Sequence, residues 1–212
     1  SAIDACGDGV REYEVALAYY RTAWEGGSEA ACRSHMHFNF RHPSCGGGNR
    51  PFESTTYKLK KGDMFYLDVA VRYQGYVGDT ARTVVIGEPS KEQRQVFDAS
   101  FNMHRAMADA LKPGAAMAKV YDEFERMARE TEKMGFKNYR YHMVQTHGIG
   151  IMMNEPPAWS QLDVVLKENM IINLEPSVYI PFEHLGRVED TYLITKGGRE
   201  RLTRMDQDLY LR

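Results

Sequence analysis

LKKGDMFYLD (residues 59–68) and LKENMIINLE (residues 166–175) align without a gap, and their pairing decides the fold. Leu59 meets Leu166, Lys60 meets Lys167, Leu67 meets Leu174, and Asp68 meets Glu175. Each segment reads as an apolar strand ending on an acid. A second acid follows on each return strand: Asp79 lies 11 residues after Asp68, and Glu189 lies 14 after Glu175. Two helical segments separate the copies. The repeat describes a duplicated unit that carries four carboxylates toward a shared axis.

Working outward, residues 9–25 predict a helix stopped by Gly26-Gly27. Residues 32–58, dense in His, Gly, Pro and aromatics, predict strand fragments and a long lining loop. Strands are expected over 64–71 and 79–86, with the turn at Gln74-Gly75. Ser90 and Gln93 form a capping box for a helix reaching about Leu111, and Lys112-Pro113-Gly114 breaks it. Met117, Val120, Tyr121, Phe124, Met127 and Ala128 carry the three-four spacing of a core-facing helix. Strands and turns fill about 140–197.

Acids inside apolar strands are costly unless paired, hydrogen-bonded or metal-bound. A salt bridge or a turn cap accounts for any one of them. Four in matching hairpins would repel one another without cations, and hard divalent ions relieve that repulsion. His147 lies in THGIGIMMNEPP (146–157). A lone histidine in a glycine-rich turn is commonly structural. Beside four acids it also fits as the nitrogen ligand, with the glycines of His-Gly-Ile-Gly permitting close backbone approach. Two carboxylate-bridged metals holding one hydroxide make a hydrolytic device.

In that order, LDVAVRYQGYVGDTART, THGIGIMMNEPP, INLEPSVY and GRVEDTYLIT resemble the methionine aminopeptidase, aminopeptidase P, prolidase and creatinase family over about residues 9–203. The resemblance implies the α+β pita-bread fold: two pseudo-symmetric halves, a curved antiparallel sheet and outer helices. It implies a single catalytic domain over 1–212, without the N-terminal domain usual in the branch that Arg187-Val188-Glu189-Asp190 resembles, prolidase and aminopeptidase P. Ser1-Ala2 reads as a tag remnant, so the chain is expected to begin inside a longer protein. By this resemblance Asp79 and Glu189 bridge two divalent metals, with manganese foremost and cobalt, zinc or iron as alternatives. Asp68 holds one metal, and His147 and Glu175 the other. Glu175 also accepts the proton of the attacking water. The implied reaction is hydrolysis of an Xaa-Pro bond or a similar small amide.

Several positions depart from that pattern. Asn154 stands where the family's peptidases usually have a histidine, and Asn cannot titrate near neutrality. No histidine lies at 49–51, and Met143 replaces another, with His142 adjacent. Ser177 replaces a common glycine. Asn154, His142 and Arg187 join Glu175 as candidate catalytic residues. His35, His37 and His42 beside Cys32 and Cys45 lack the spacing of a zinc site, and one of them is a candidate to replace a missing histidine. Tyr73, Tyr76 and Trp159 are candidate pocket residues, with packing as the simpler role. The altered peptide-handling residues leave two further readings open: lyase or C–N hydrolase chemistry on a small non-peptide substrate, and a non-catalytic pita-bread binding module.

Bulk properties agree with a folded enzyme domain. Hydrophobic residues make up 43% of the 212, ample for a core. Lys plus Arg is 27 against 29 acids, a balance with no nucleic-acid or anionic-membrane signature. Three irregularly placed cysteines argue for a reducing cytoplasm. A small peptide or small molecule is the expected partner, and a homodimer stays open.

Overall fold

The computed structural model describes residues 2–29, 35–37, 56–138, 146–158, 161–180 and 183–212. Helix α1 spans Glu12–Glu25, α2 Lys91–Ala110 and α3 Met117–Lys133. The first half contributes strands β1 (His35–His37), β2 (Met64–Tyr73) and β3 (Tyr76–Val85). Then come β4 (Lys137–Asn138), β5 (Thr146–Gly148), β6 (Glu155–Ala158), β7 (Ile171–Leu174), β8 (Ser177–Ile180) and β9 (His184–Arg187). Strands β10 (Asp190–Thr195), β11 (Gly198–Arg201) and β12 (Tyr210–Leu211) close the chain. They form three sheets ordered β1-β2-β3-β12, β11-β10-β7-β5-β6 and β4-β8-β9.

The repeat survives as backbone geometry. Gly62 and the residue aligned with it, Asn169, both have positive φ, at 86° and 71°. These are the two residue types that enter the left-handed region most readily. Gly62 N donates to Ile86 O and Ile86 N to Asp63 O; in the second copy Asn169 N donates to Ile194 O and Ile194 N to Met170 O. The match also extends upstream of the aligned segments. Leu59 exchanges hydrogen bonds with Gly9 and Val10, as Leu166 does with Gly114 and Ala115. Helix α1 follows the first of these contacts and α3 the second.

Helix α1 starts at Glu12 rather than residue 9, because Gly9 is left-handed and Val10 is engaged with Leu59. Glu14 accepts from Arg11 N at the helix start. The Ser90–Gln93 capping box forms as expected, with bonds of 3.1 and 2.9 Å, and opens α2. Gln74 and Gly75, with φ of 49° and 81°, make the two-residue turn between β2 and β3. Strand structure runs past 197, where β12 pairs in parallel with β3.

Side-chain alternation along β2 sorts the core. Phe65 and Leu67 pack on one face with Val15 and Tyr19 of α1. Tyr66 and Ala70 belong to clusters on the other face, which Asp68 shares by register. Helices α2 and α3 cover the remaining core with Val96, Met103, Met107, Val120 and Phe124 against Ile172, Leu174 and Ile194. Among the described residues, no helix is long and apolar enough to cross a membrane.

Candidate metal centre

Antiparallel pairing sets Ala70 against Asp79 and Asp68 against Ala81, so both acids project from one face of the β2–β3 hairpin. An isolated bridge between Ala81 and Glu189 joins β3 to the residue preceding β10, with Glu189 N donating to Ala81 O at 3.1 Å. Glu175 follows β7 directly. His147 lies on β5, opposite Asn173 of β7. The two halves thus deliver Asp68, Asp79, His147, Glu175 and Glu189 to one buried place, with exposures between 1% and 8%.

Two triads result. Asp79, His147 and Glu189 offer ligand atoms within 4.8 Å of one another, and so do Asp68, Glu175 and Glu189. Glu189 belongs to both. His147 Nδ1 lies 2.9 Å from the carbonyl oxygen of Gly148, an acceptor only. In the neutral ring the proton therefore sits on Nδ1 and the Nε2 lone pair is presented to the acids. Nε2 is 3.4 Å from Glu175 Oε1. Glu175 thus sits between the histidine and Asp68. Arg187 draws it toward Asp68, with Nη1 at 2.8 Å from Asp68 Oδ2 and 2.5 Å from Glu175 Oε2.

The electrostatics follow from crowding. Burial and then the Asp79 charge push the Asp68 carboxyl well above its usual range. Burial, with Glu175 next, raises Asp79 to about 7. Glu189 is raised by burial, then by Asp68 and Asp79. Burial opposes charge on His147, but the Glu175 hydrogen bond and charge outweigh it and raise the ring. Asp79 Oδ1 and Glu189 Oε2 are buried without a hydrogen-bond partner among the described residues. Orphaned carboxylate oxygens beside an imidazole lone pair fit divalent cations, since such oxygens are otherwise costly to bury.

Other candidates fall differently. Arg187 is 9% exposed, stacks over the Tyr66 ring at 4.6 Å, and donates from Nε to Ser177 Oγ at 2.7 Å. The serine that departs from the family pattern is therefore engaged in orienting Arg187. Asn154 is exposed in the bend before β6, outside the buried cluster. Tyr73 and Tyr76 are 55% and 63% exposed at the hairpin tip. His142, His42, Cys32, Cys45 and Trp159 lie outside the described residues, and only the strand backbone of 35–37 is described. That backbone pairs His35 with Asp68. Arg82, Asn173, Thr80 and Thr191, which grip the backbone beside the acids, left no spacing signal in the sequence.

Fold and centre together define a pita-bread domain: two matched α+β halves that gather four acids and one imidazole where they meet. The chain belongs to metallopeptidase family M24, whose family model matches residues 1–196. An Xaa-Pro dipeptidase of Pyrococcus furiosus is 38% identical over 154 residues, covering 72% of this chain and 43% of the relative. One from Lactobacillus helveticus is 33% identical over 153 residues, covering 71% and 40%. The prolidase structure from Pyrococcus horikoshii matches with a TM-score of 0.85 at 28% identity, over 98% of this chain and 58% of its own. The chain thus spans less than half the length of these curated relatives.

Proposed function

We propose that the chain carries the catalytic centre of a metal-dependent hydrolase acting on Xaa-Pro dipeptides or closely similar small amides. The observation that carries this reading is the pair of buried triads sharing Glu189. Asp79 and Glu189 would serve both of two divalent ions, with Asp68 completing one set and His147 and Glu175, 3.4 Å apart, the other, and manganese the first choice. Divalent ions bound there lower the pKa of water and polarise a carbonyl. Glu175 accepts the proton from the attacking water, and Arg187 holds the Glu175 and Asp68 carboxylates in place. Ser177 and the Tyr66 ring keep the guanidinium oriented. Asn154, in the exposed bend outside the centre, can donate a hydrogen bond but cannot transfer a proton near neutral pH. The names of the relatives support the Xaa-Pro assignment. Cysteine usage supports a cytoplasmic setting, and Cys6 is a buried free thiol.

Metal analysis with a peptide panel tests the proposal. The expected result is manganese uptake and turnover of Ala-Pro, both lost in Asp79→Ala. Fewer than one ion per chain after reconstitution, unchanged by the substitution, would refute it. The substitution at Asn154 favours a second reading, a small non-peptide substrate on the same centre. Metal uptake with no turnover of Ala-Pro or longer Xaa-Pro peptides would select it.

A further inference from the structure

Asp79 and Glu189, whose ligand oxygens approach one another across the joint, are gripped by their backbone carbonyls, each from the opposite half. Asp79 O accepts from Asn173 Nδ2 on β7 and from Thr191 Oγ1 on β10, both at 3.3 Å. Glu189 O accepts from Arg82 Nη1 at 2.7 Å and from Thr80 Oγ1 at 2.9 Å, both on β3. The second grip is shorter and charge-assisted, so it is the stronger of the two.

Arg82 uses its whole guanidinium at this joint. Nη1 also donates to Ala81 O at 2.7 Å and reaches Thr80 Oγ1 at 3.3 Å. Nη2 donates to Asp190 Oδ1 at 2.6 Å and Met205 O at 3.0 Å, and Nε to Asp206 O at 2.6 Å. The side chain is 1% exposed. It lies on the face of β3 opposite Asp79, so it touches no candidate ligand oxygen. Its contacts instead fix Glu189 from both sides, through that residue's own carbonyl and through its neighbour Asp190. Because Glu189 serves both triads, a small displacement of its backbone spoils both sets of ligand distances together.

We propose that Arg82 is a positioning residue: it sets where Glu189 stands relative to Asp79, and hence whether two ions can be held at once. The inference rests on the metal-centre reading above. A lysine keeps the charge but has one compact ammonium in place of a planar fork, so it cannot reach Asp190, the Glu189 carbonyl and the Asp206 carbonyl simultaneously.

The test is manganese titration of the 212-residue chain, with electron paramagnetic resonance to detect a spin-coupled ion pair and thermal unfolding of the metal-free protein. Arg82→Lys is compared with Phe124→Leu, which loosens the core at a fully buried position on α3. For Arg82→Lys the expected result is at least a tenfold loss of affinity for the second ion and loss of the coupled-pair signal. Phe124→Leu lowers the unfolding temperature and leaves both intact. Thr80→Val removes one donor to Glu189 O with little change in shape. It is expected to weaken the second ion about threefold, and it carries the test should Arg82→Lys not fold. Wild-type affinity and coupling in both Arg82→Lys and Thr80→Val overturn the inference. So does equal loss in Phe124→Leu, which would mark the effect as general destabilisation. Failure of the unsubstituted chain to bind a coupled pair refutes the metal-centre reading itself, and is distinguished by appearing without any substitution.

Discussion

Replacing Gly148 by alanine probes how tightly His147 is held. An added Cβ would overlap the Pro156 carbonyl oxygen and lie 2.9 Å from both the Glu155 carbonyl oxygen and the Pro156 carbonyl carbon. All three are backbone atoms. Ordinary contacts need about 3.5 Å, so β5 and β6 must separate by roughly one ångström. Strand β5 cannot simply retreat, because its other edge pairs with β7, His147 against Asn173 and Gly148 against Ile172. Overpacking costs about 1–3 kcal/mol, and each ladder hydrogen bond lost adds about 1. A total of about 2–4 kcal/mol corresponds to a melting point lower by roughly 5–15 °C in a chain of this size. If about 1.4 kcal/mol of that falls on the placement of His147, manganese affinity drops tenfold. Gly150→Ala is the matched control. Its Cβ would meet only the end of the Glu155 side chain, at 2.9–3.3 Å, and that side chain can swing away. The loss is then at most the 2.7 Å bond from Met152 N to Glu155, about 1 kcal/mol. Differential scanning calorimetry of both variants, with manganese titration, decides. Equal destabilisation by the two, or a Gly148→Ala variant within 2 °C of the parent at full affinity, would refute the reasoning.

Four further outcomes are expected. Asp79 has its pKa raised from 3.8 to about 7, so the folded chain binds that proton more tightly than the unfolded chain does. Without divalent ions its stabilising contribution is full below about pH 4 and is lost as pH rises toward about 7. Urea melts should therefore show wild type losing stability relative to Asp79→Asn across that window, and parallel curves would contradict the assignment. Saturating manganese at 100 times its dissociation constant should stabilise the chain by about 2.7 kcal/mol, a shift that a chelator reverses and Asp79→Ala abolishes in a thermal melt. Gly186→Ala should cost about 1–3 kcal/mol, since its Cβ would sit 3.0 Å from Val96 O and 3.2 Å from Phe97 Cα; an unchanged unfolding midpoint would show that β9 does not press on α2. Burial raises the Cys6 thiol to about 12, so iodoacetamide at pH 8 should leave Cys6 unmodified in peptide maps of the folded chain.

Local signals carried most of the fold. The Ser90–Gln93 cap, the Gln74-Gly75 turn and the buried face of α3 depend on residues a few positions apart, and each was legible. The repeat was legible too, and the structure adds that its aligned Gly62 and Asn169 share a left-handed backbone. The start of α1 was not, because pairing of Val10 with Leu59 overrides the helical pattern there. In the centre, the acids and His147 stood out through the repeat and the family resemblance. Arg82, Asn173 and Ser177 did not, since each acts on a partner fixed only by tertiary structure. Ser177 in particular looked like the loss of a glycine, and it accepts a hydrogen bond from Arg187.

The joint between the halves also orders how the chain can fold. The β2–β3 hairpin closes through a two-residue turn, whereas the contacts of Arg82 and Thr80 with Glu189 and Asp190 link residues 107 to 109 positions apart. Closing so long a loop costs entropy before any contact repays it, which favours formation of the nearby pairings first. The five acid and imidazole groups come from both sides of that closure. Competence to hold an ion is therefore acquired only once that closure has formed, and a metal-sensitive probe mixed with refolding protein would time it directly.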